Sequence, residues 1–406
     1  MNVQKILFIS DHGDPLAELG GEQAGGQNNY VKRLAKYLSN RGLKIDVVTH
    51  WSDENAPQIE HFGKTCRVIR IAAGRKGFVP KAEIADLLDN FYAEMNTLLN
   101  LREYDIIHSH YWMSGLLGLT LKENFGIPLI HTSHSLGIAK AAATGEREER
   151  RLKAEKKILR KADCIIATTP TEKEIIKDFA GTEANVSVVP IGVAKAFENT
   201  PFQKPPLEPL FVYAGRFEET KGILTLLKAF QDFQKDGMEG KLILAGGAEE
   251  DIDSKTSLPV NTHLLKAVEG IENRVTFLGS MSQHELASLF SKATAAIVPS
   301  YYESFGMVAA EAQACGTPVI ASEIGGLQDV IRNGQTGILV PPRDAHAISE
   351  AMKTLAENPQ LTEDLGRNAV KRVSLLFTWS SIAKLVQDLY EVIYDEKNST
   401  FIGYGS

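Results

Sequence analysis

The sequence predicts an α/β protein made of two doubly wound, Rossmann-like domains, and three observations carry that prediction. Short apolar runs rich in β-branched residues alternate with amphipathic helical stretches along nearly all of the 406 residues, the pattern of parallel sheets covered by helices on both faces. At ~150 residues per domain, that length exceeds one hydrophobic core and asks for two or three. Between Phe197 and Pro209 the periodicity lapses and prolines stand at 201, 205, 206 and 209, after which Leu210 to Ala214 reads as a fresh strand. This places a first domain over 1–200, a second over 207–378 and a terminal helical segment over 379–396.

Each element follows from its local pattern. In the first domain, strands are expected at 5–9, 44–49, 66–71, 104–108, 127–131, 163–168 and 186–189, with helices near 27–41, 82–101, 113–124, 146–161 and 171–179. The second repeats the rhythm, with strands near 210–214, 241–245, 274–278, 295–298 and 317–321 and helices near 222–235, 283–291, 305–314 and 344–357. No short-period repeat links the halves, so their similarity is architectural. Trp379, Ile382, Leu385, Leu389 and Ile393 are spaced for one apolar face of a last helix, and the residues from Lys397 read as a frayed tail. Ligands in such sheets bind beyond the carboxyl ends of the strands, so two facing sheets predict a central cleft.

Composition removes several function classes. Apolar residues at 43% and charged residues at 23% exclude collagen-like and largely disordered chains. A net charge of −7 without a long basic run argues against a nucleic-acid partner. Cys66, Cys164 and Cys315 are widely spaced and lack metal-ligand spacing, which points to reduced thiols and a cytoplasmic protein. No signal-peptide pattern opens the chain, and no apolar run reaches the ~18 residues of a membrane span.

Three segments carry candidate chemistry. Gly25-Gly26-Gln27 precedes the first helix, and paired glycines there let backbone amides approach an anion, although a plain strand-to-helix turn has the same look. The dinucleotide pattern Gly-x-Gly-x-x-Gly is absent at this turn, which weighs against a dehydrogenase. In the second domain, Gly215-Arg216 closes the first strand and Lys221-Gly222 opens the next helix. A planar guanidinium and a point-charge ammonium together suit a diphosphate leaving group, while a solvated loop pair is the plainer alternative. The segment from Ser300 to Pro318 joins a strand to an alanine-rich helix, with Glu303 before that helix and Glu311 about two turns inside it. The N-terminal amides of residues 305–308 would then lie between two carboxylates, an array suited to a hydroxyl-rich ligand with a central phosphate. Either acid could instead be a satisfied structural group.

At these residues the chain resembles the retaining GT-B glycosyltransferases of family four, the group that contains sucrose-phosphate synthase, sucrose synthase and the mycothiol-pathway inositol-phosphate transferase. The matching features run from Gly25-Gly26-Gln27 through Tyr104 to Trp112, His131 to Gly137, Gly215-Arg216-Phe217 and Lys221-Gly222 to the Glu303–Glu311 segment. The resemblance implies a GT-B fold with the last helix crossing back to the first domain, and a hexosyltransferase using UDP-glucose without a required cofactor. It implies that Arg216 and Lys221 stabilise the departing diphosphate and that Glu311 binds the ribose. Glu303, with Ser304, Phe305, Gly306, Met307 and Val308, would hold the donor sugar and phosphates. Gly25, Gly26 and Gly215 would line the donor pocket, and Gly279 and Met281 would read uracil through the main chain. His134 would hydrogen-bond the transferred sugar, and no residue is assigned as a nucleophile.

His108 and His110 read as strand-end packing, and the Asp251-x-Asp253 motif as a solvated loop rather than a metal site. Gly325-Gly326 reads as a helix-start turn. For the acceptor, the resemblance points to Gln27, Lys76, Lys140, Arg150 and Arg151, with fructose 6-phosphate the leading acceptor; Lys76, Arg150 and Arg151 could equally be solvated surface positions. The alternative acceptor is a growing exopolysaccharide or a lipid-linked saccharide, which would add peripheral membrane contact.

Overall fold

In the computed structural model of the protein, residues 2–17, 26–247 and 249–402 are described. The chain divides into two compact units, one of residues 1–168, 172–189 and 379–406, the other of 169–171 and 190–378.

The first unit is built on an eight-stranded sheet in the order β3-β4-β2-β1-β5-β6-β7-β8. Its strands are β1 Lys5–Ile9, β2 Lys44–His50, β3 Ile59–Phe62, β4 Cys66–Ile71, β5 Ile106–His110, β6 Leu129–Thr132, β7 Cys164–Ala167 and β8 Val186–Val188. All neighbours are parallel except β3, which runs antiparallel along the edge of β4. The second unit carries a six-stranded parallel sheet in the order β11-β10-β9-β12-β13-β14. These strands are β9 Leu210–Ala214, β10 Lys241–Ala245, β11 Val275–Leu278, β12 Ala295–Val298, β13 Val319–Ser322 and β14 Gly337–Val340. Central strands such as β5, β7 and β12 are buried along their whole length, as a sheet sandwiched between helices demands.

The last helix, Trp379–Ile402, belongs to the first unit and packs on the helix Gly26–Asn40. Trp379 stands edge-on to Tyr30 at 5.5 Å, and the Tyr390 hydroxyl meets His108 Nδ1 at 2.7 Å. Its buried face is Trp379, Ile382, Ala383, Val386, Tyr390 and Ile393. Leu385, expected on that face, is 46% exposed, because the stripe steps through positions 382, 386, 390 and 393 and leaves 385 on the far side. The helix also continues past Lys397, where a frayed tail was expected.

Other departures have local causes. Residues 190–200 join the second unit rather than the first, because Phe197 is fully buried in its core, 6.4 Å from the Phe290 ring. The helix expected over 82–101 is split into Lys81–Ile84 and Leu88–Leu98, since the amides of Asp86 and Leu87 bond back only three residues, to Glu83 and Ile84. β5 starts at Ile106 rather than at 104, because the Asp105 carboxylate accepts the amides of Gln4 and Lys5 at 2.7 and 2.9 Å and is spent holding the start of β1. Strands β3 and β14 and the helices Gly137–Thr144 and Pro359–Leu376 were not anticipated.

Candidate functional site

The two units each carry one group of candidate residues. In the second unit these lie at the carboxyl ends of the strands, on loops that meet backbone to backbone. Gly222 adopts φ 71°, and a Cβ there would stand 2.0 Å from the carbonyl oxygen of Pro299. Tyr301 N–H donates to Thr220 O at 2.8 Å, so the loop after β9 and the loop after β12 are docked edge to edge. That docking brings Lys221 Nζ to 2.5 Å from Glu303 Oε1, which also accepts from Ser300 Oγ at 3.1 Å. The two side chains remain 25% and 19% exposed, so the pair faces solvent rather than the core.

Glycines clasp the Glu303 loop from the other side. Gly326 N–H donates to Glu303 O at 3.0 Å, and a Cβ on Gly325 would lie 2.2 Å from that same oxygen. The pair does stand at a helix start, Leu327–Val330, and it also sets the position of the Glu303–Ser304 backbone. The helix expected over 305–314 begins at Met307, because Gly306 is its N-cap in the left-handed region at φ 99°. The first-turn amides without an intrahelical acceptor are therefore those of Met307, Val308 and Ala309 rather than residues 305–308. Phe305 turns its ring into the core, edge-on to Phe377 at 5.6 Å. Glu311 is buried within the helix.

Arg216 stands apart from this group: its side chain is 74% exposed and pairs with Glu218 at 2.6 Å. Gly215 packs closely at the end of β9, such that a Cβ on Gly246 would approach Gly215 O to 2.1 Å. Gly279 O accepts the Gly246 amide at 3.2 Å, and Met281 follows in the same loop, half-buried. Asp253 accepts the amides of Lys255 and Thr256 at 2.9 Å, capping its own turn. Among the described residues, no group of three or more His, Cys, Asp or Glu gathers as metal ligands.

The first unit holds the remaining candidates. Gly25 lies outside the described residues, and Gly26 opens the first helix. Gln27 Nε2 donates to Ser10 Oγ at 3.1 Å and to His110 O at 3.4 Å, tying the helix start to the ends of β1 and β5. His134, half-buried after β6, holds the left-handed φ of 58° and meets His110 Nδ1 through Nε2 at 3.0 Å. Burial, with smaller contributions from His131 and His12, pushes its imidazole down to about 3, so it works as a neutral ring. His108 and His110 are buried packing residues with hydrogen-bond partners, and burial holds both well below the usual histidine range.

The four basic candidates differ in how committed they are. Lys76 is exposed, with Nζ 3.7 Å above the Trp51 ring. Lys140 lies 3.8 Å from Glu146, and Arg150 pairs with Asp86 at 2.7 Å. Arg151, by contrast, is only 4% exposed and is no solvated surface position. Its Nε donates to Glu155 at 2.7 Å and its Nη2 to Ser135 O at 2.6 Å, while Glu155 accepts the Gly137 amide at 2.8 Å. The pair thus ties the helix Glu149–Lys161 to the loop that carries His134. Among the described residues, Nη1 of Arg151 lies 4.0 Å from Glu148 and makes no closer ion pair.

Sequence reasoning missed Trp51 and Glu155. Trp51 directly follows a strand at its carboxyl end, and Glu155 lies four residues beyond Arg151 on one helix face, which are the signals that could have found them.

Comparison with known proteins agrees with this architecture. The family model for Glycosyltransferase Family 4 matches residues 24–197, and the model for Glycosyl transferases group 1 matches 195–372. A D-inositol 3-phosphate glycosyltransferase of Arthrobacter sp. (strain FB24) is 32% identical, across 97% of this chain and 96% of its own. Its counterpart in Paenarthrobacter aurescens (strain TC1) is 33% identical, across 95% and 97% respectively. Among solved structures, the sucrose-phosphate synthase of Thermosynechococcus elongatus superposes with a TM-score of 0.85 at 36% identity, covering 97% of this chain and 100% of that one. Two parallel-sheet units and relatives that match from end to end make the chain a member of the family-four glycosyltransferases with the GT-B fold.

Proposed function

We propose that this glycosyltransferase moves glucose from UDP-glucose to a small sugar phosphate, with retention of anomeric configuration and fructose 6-phosphate as the leading acceptor. The observation that carries the reading is the Lys221–Glu303 pair, solvent-facing and held beside the N-terminus of the helix that buries Glu311. An ammonium and a helix N-terminus suit a diphosphate, and carboxylates suit hydroxyl groups. In this reading Lys221, Arg216 and the amides of Met307 and Val308 stabilise the charge that develops on the leaving UDP, Glu303 orients the glucose hydroxyls and Glu311 binds the ribose. In this reading Lys221 and Arg216 exchange their carboxylate partners Glu303 and Glu218 for the diphosphate, and no metal cofactor is required.

The transfer is a same-face substitution. The anomeric carbon–phosphate oxygen bond breaks, the acceptor hydroxyl oxygen bonds to that carbon, and the departing phosphate oxygen takes the acceptor's proton. Neutral His134 serves as a hydrogen-bond partner for the glucose rather than as a base. The relatives named for sucrose phosphate and for inositol phosphate support a phosphorylated acceptor, for which Lys76, Lys140, Arg150 and the Nη1 edge of Arg151 supply positive charge. A cytoplasmic setting fits three buried, unpaired cysteines.

The test is product analysis by mass after incubation with UDP-glucose and, separately, fructose 6-phosphate, inositol 1-phosphate and fructose, with the anomeric configuration read by proton NMR. A sucrose phosphate that keeps the α-glucosyl linkage supports the reading; inversion, or transfer to none of the three, overturns it.

A further inference from the structure

We propose that Trp51 is a positioning residue that holds Lys76 ready for the phosphate of the acceptor, a deepening of the reading above that rests on it. The geometry starts with two adjacent parallel strands. β2 and β4 end side by side, and the Trp51 amide donates to Ile71 O at 2.9 Å, which fixes the indole at their carboxyl ends. Trp51 is buried, and its Nε1–H donates to Ala56 O at 3.0 Å, so the ring has one orientation.

The loop that follows β4 is built to lie over that ring. Its start is pinned by Glu94, which accepts the amides of Ala72 and Ala73 at 3.0 and 2.9 Å. Its end is pinned at Gly77, whose amide donates to Trp51 O at 2.9 Å and whose carbonyl meets His50 Nε2 at 3.1 Å. Ala73, Gly74 and Gly77 all take positive φ, which coils the loop tightly enough to return Lys76 to the indole.

Charge decides what this arrangement can do. Arg75 is paired with Glu83 at 2.8 Å, and the Glu54 carboxylate rests against Gly77. Lys76, among the described residues, makes no ion pair; its ammonium lies on the π face of Trp51 alone. An aromatic face attracts a cation without neutralising it, unlike a carboxylate. The ammonium is thereby oriented at low entropic freedom with its full charge available, a suitable state for gripping a phosphomonoester at the strand ends.

The experiment is equilibrium binding of fructose 6-phosphate and inositol 1-phosphate to the full-length protein by calorimetry, with fructose and inositol as phosphate-free controls. The proteins compared are wild type, Lys76→Ala, Trp51→Leu and Trp51→Phe. Lys76→Ala and Trp51→Leu are expected to weaken the sugar phosphates about 3- to 10-fold, with Trp51→Phe within about twofold of wild type because it keeps an aromatic face. Weakening by Lys76→Ala with wild-type binding in Trp51→Leu would overturn the platform and leave the phosphate reading standing. Equal weakening in Trp51→Leu and Trp51→Phe would also overturn it, reducing Trp51 to loop packing. No binding of either sugar phosphate by wild type, or no effect of Lys76→Ala, would bring down the phosphorylated-acceptor reading and the platform with it.

Discussion

Gly222 and Pro299 touch backbone to backbone: a single added carbon on Gly222 would fall 2.0 Å from the Pro299 carbonyl oxygen. The contact locks two loops that follow different strands, and it is what lets Lys221, one residue earlier, reach Glu303, four residues beyond Pro299.

Gly222→Ala is therefore expected to be costly twice over. The clash is with backbone, and the residue sits at φ 71°, so a loss of about 1–3 kcal/mol of stability is expected, read as a drop of several degrees in the thermal midpoint. Turnover should fall further than stability explains, because the two loops must part. An unchanged midpoint would contradict the packing described for this contact.

Glu311→Ala should weaken UDP about 10- to 100-fold, the scale of losing charge-assisted hydrogen bonds to a pair of hydroxyls. Calorimetric titration with UDP checks this, with thermal melting to establish that the variant folds. Wild-type affinity in a folded variant would remove Glu311 from the ribose site.

Acid should destabilise the first unit through its histidines. Burial holds His131 and His134 down at about 3, and His108 and His110 are also pushed well below the usual value. Folded-state values below the unfolded ~6.5 mean that the unfolded chain binds more protons as pH falls. Their stabilising contribution is complete above ~6.5 and declines below it, by up to about 1.4 kcal/mol per histidine per pH unit. The urea midpoint should thus be lower at pH 5.5 than at pH 7.5, and an equal or higher midpoint would count against a neutral buried cluster.

Much of this architecture could be read from the chain. The strand-forming runs are short and apolar, and each is bounded by turn residues, so twelve of the fourteen strands among the described residues show as local pattern while long-range pairing merely orders them. The edge strand β3 could not be read this way, because Ile59–Phe62 is half exposed and gains its conformation only by pairing with β4. The terminal helix was legible in kind but not in face: Leu385 and Val386 are equally apolar, and only the packing against Gly26–Asn40 decides which is buried. At the candidate site, residue types with obvious chemistry stood out, whereas the groups that aim them did not. Trp51 and Glu155 act by a ring face and a buried ion pair, and each acquires that meaning from a partner distant in the fold or on the next helical turn, while Gly222 was legible as a motif residue but not as the contact with Pro299.

The most direct test of the account is the rate of UDP release from UDP-glucose, with and without fructose 6-phosphate, in wild type and Lys221→Ala. The pair that Lys221 makes with Glu303 is partly exposed and contributes little to stability, so the variant should fold with a nearly unchanged thermal midpoint. Loss of a charge-stabilising group should lower its turnover about 100- to 1,000-fold relative to wild type, whose rate fructose 6-phosphate is expected to stimulate. Wild-type turnover in Lys221→Ala, or no UDP release by the wild type, would contradict the assignment of this pair to the donor.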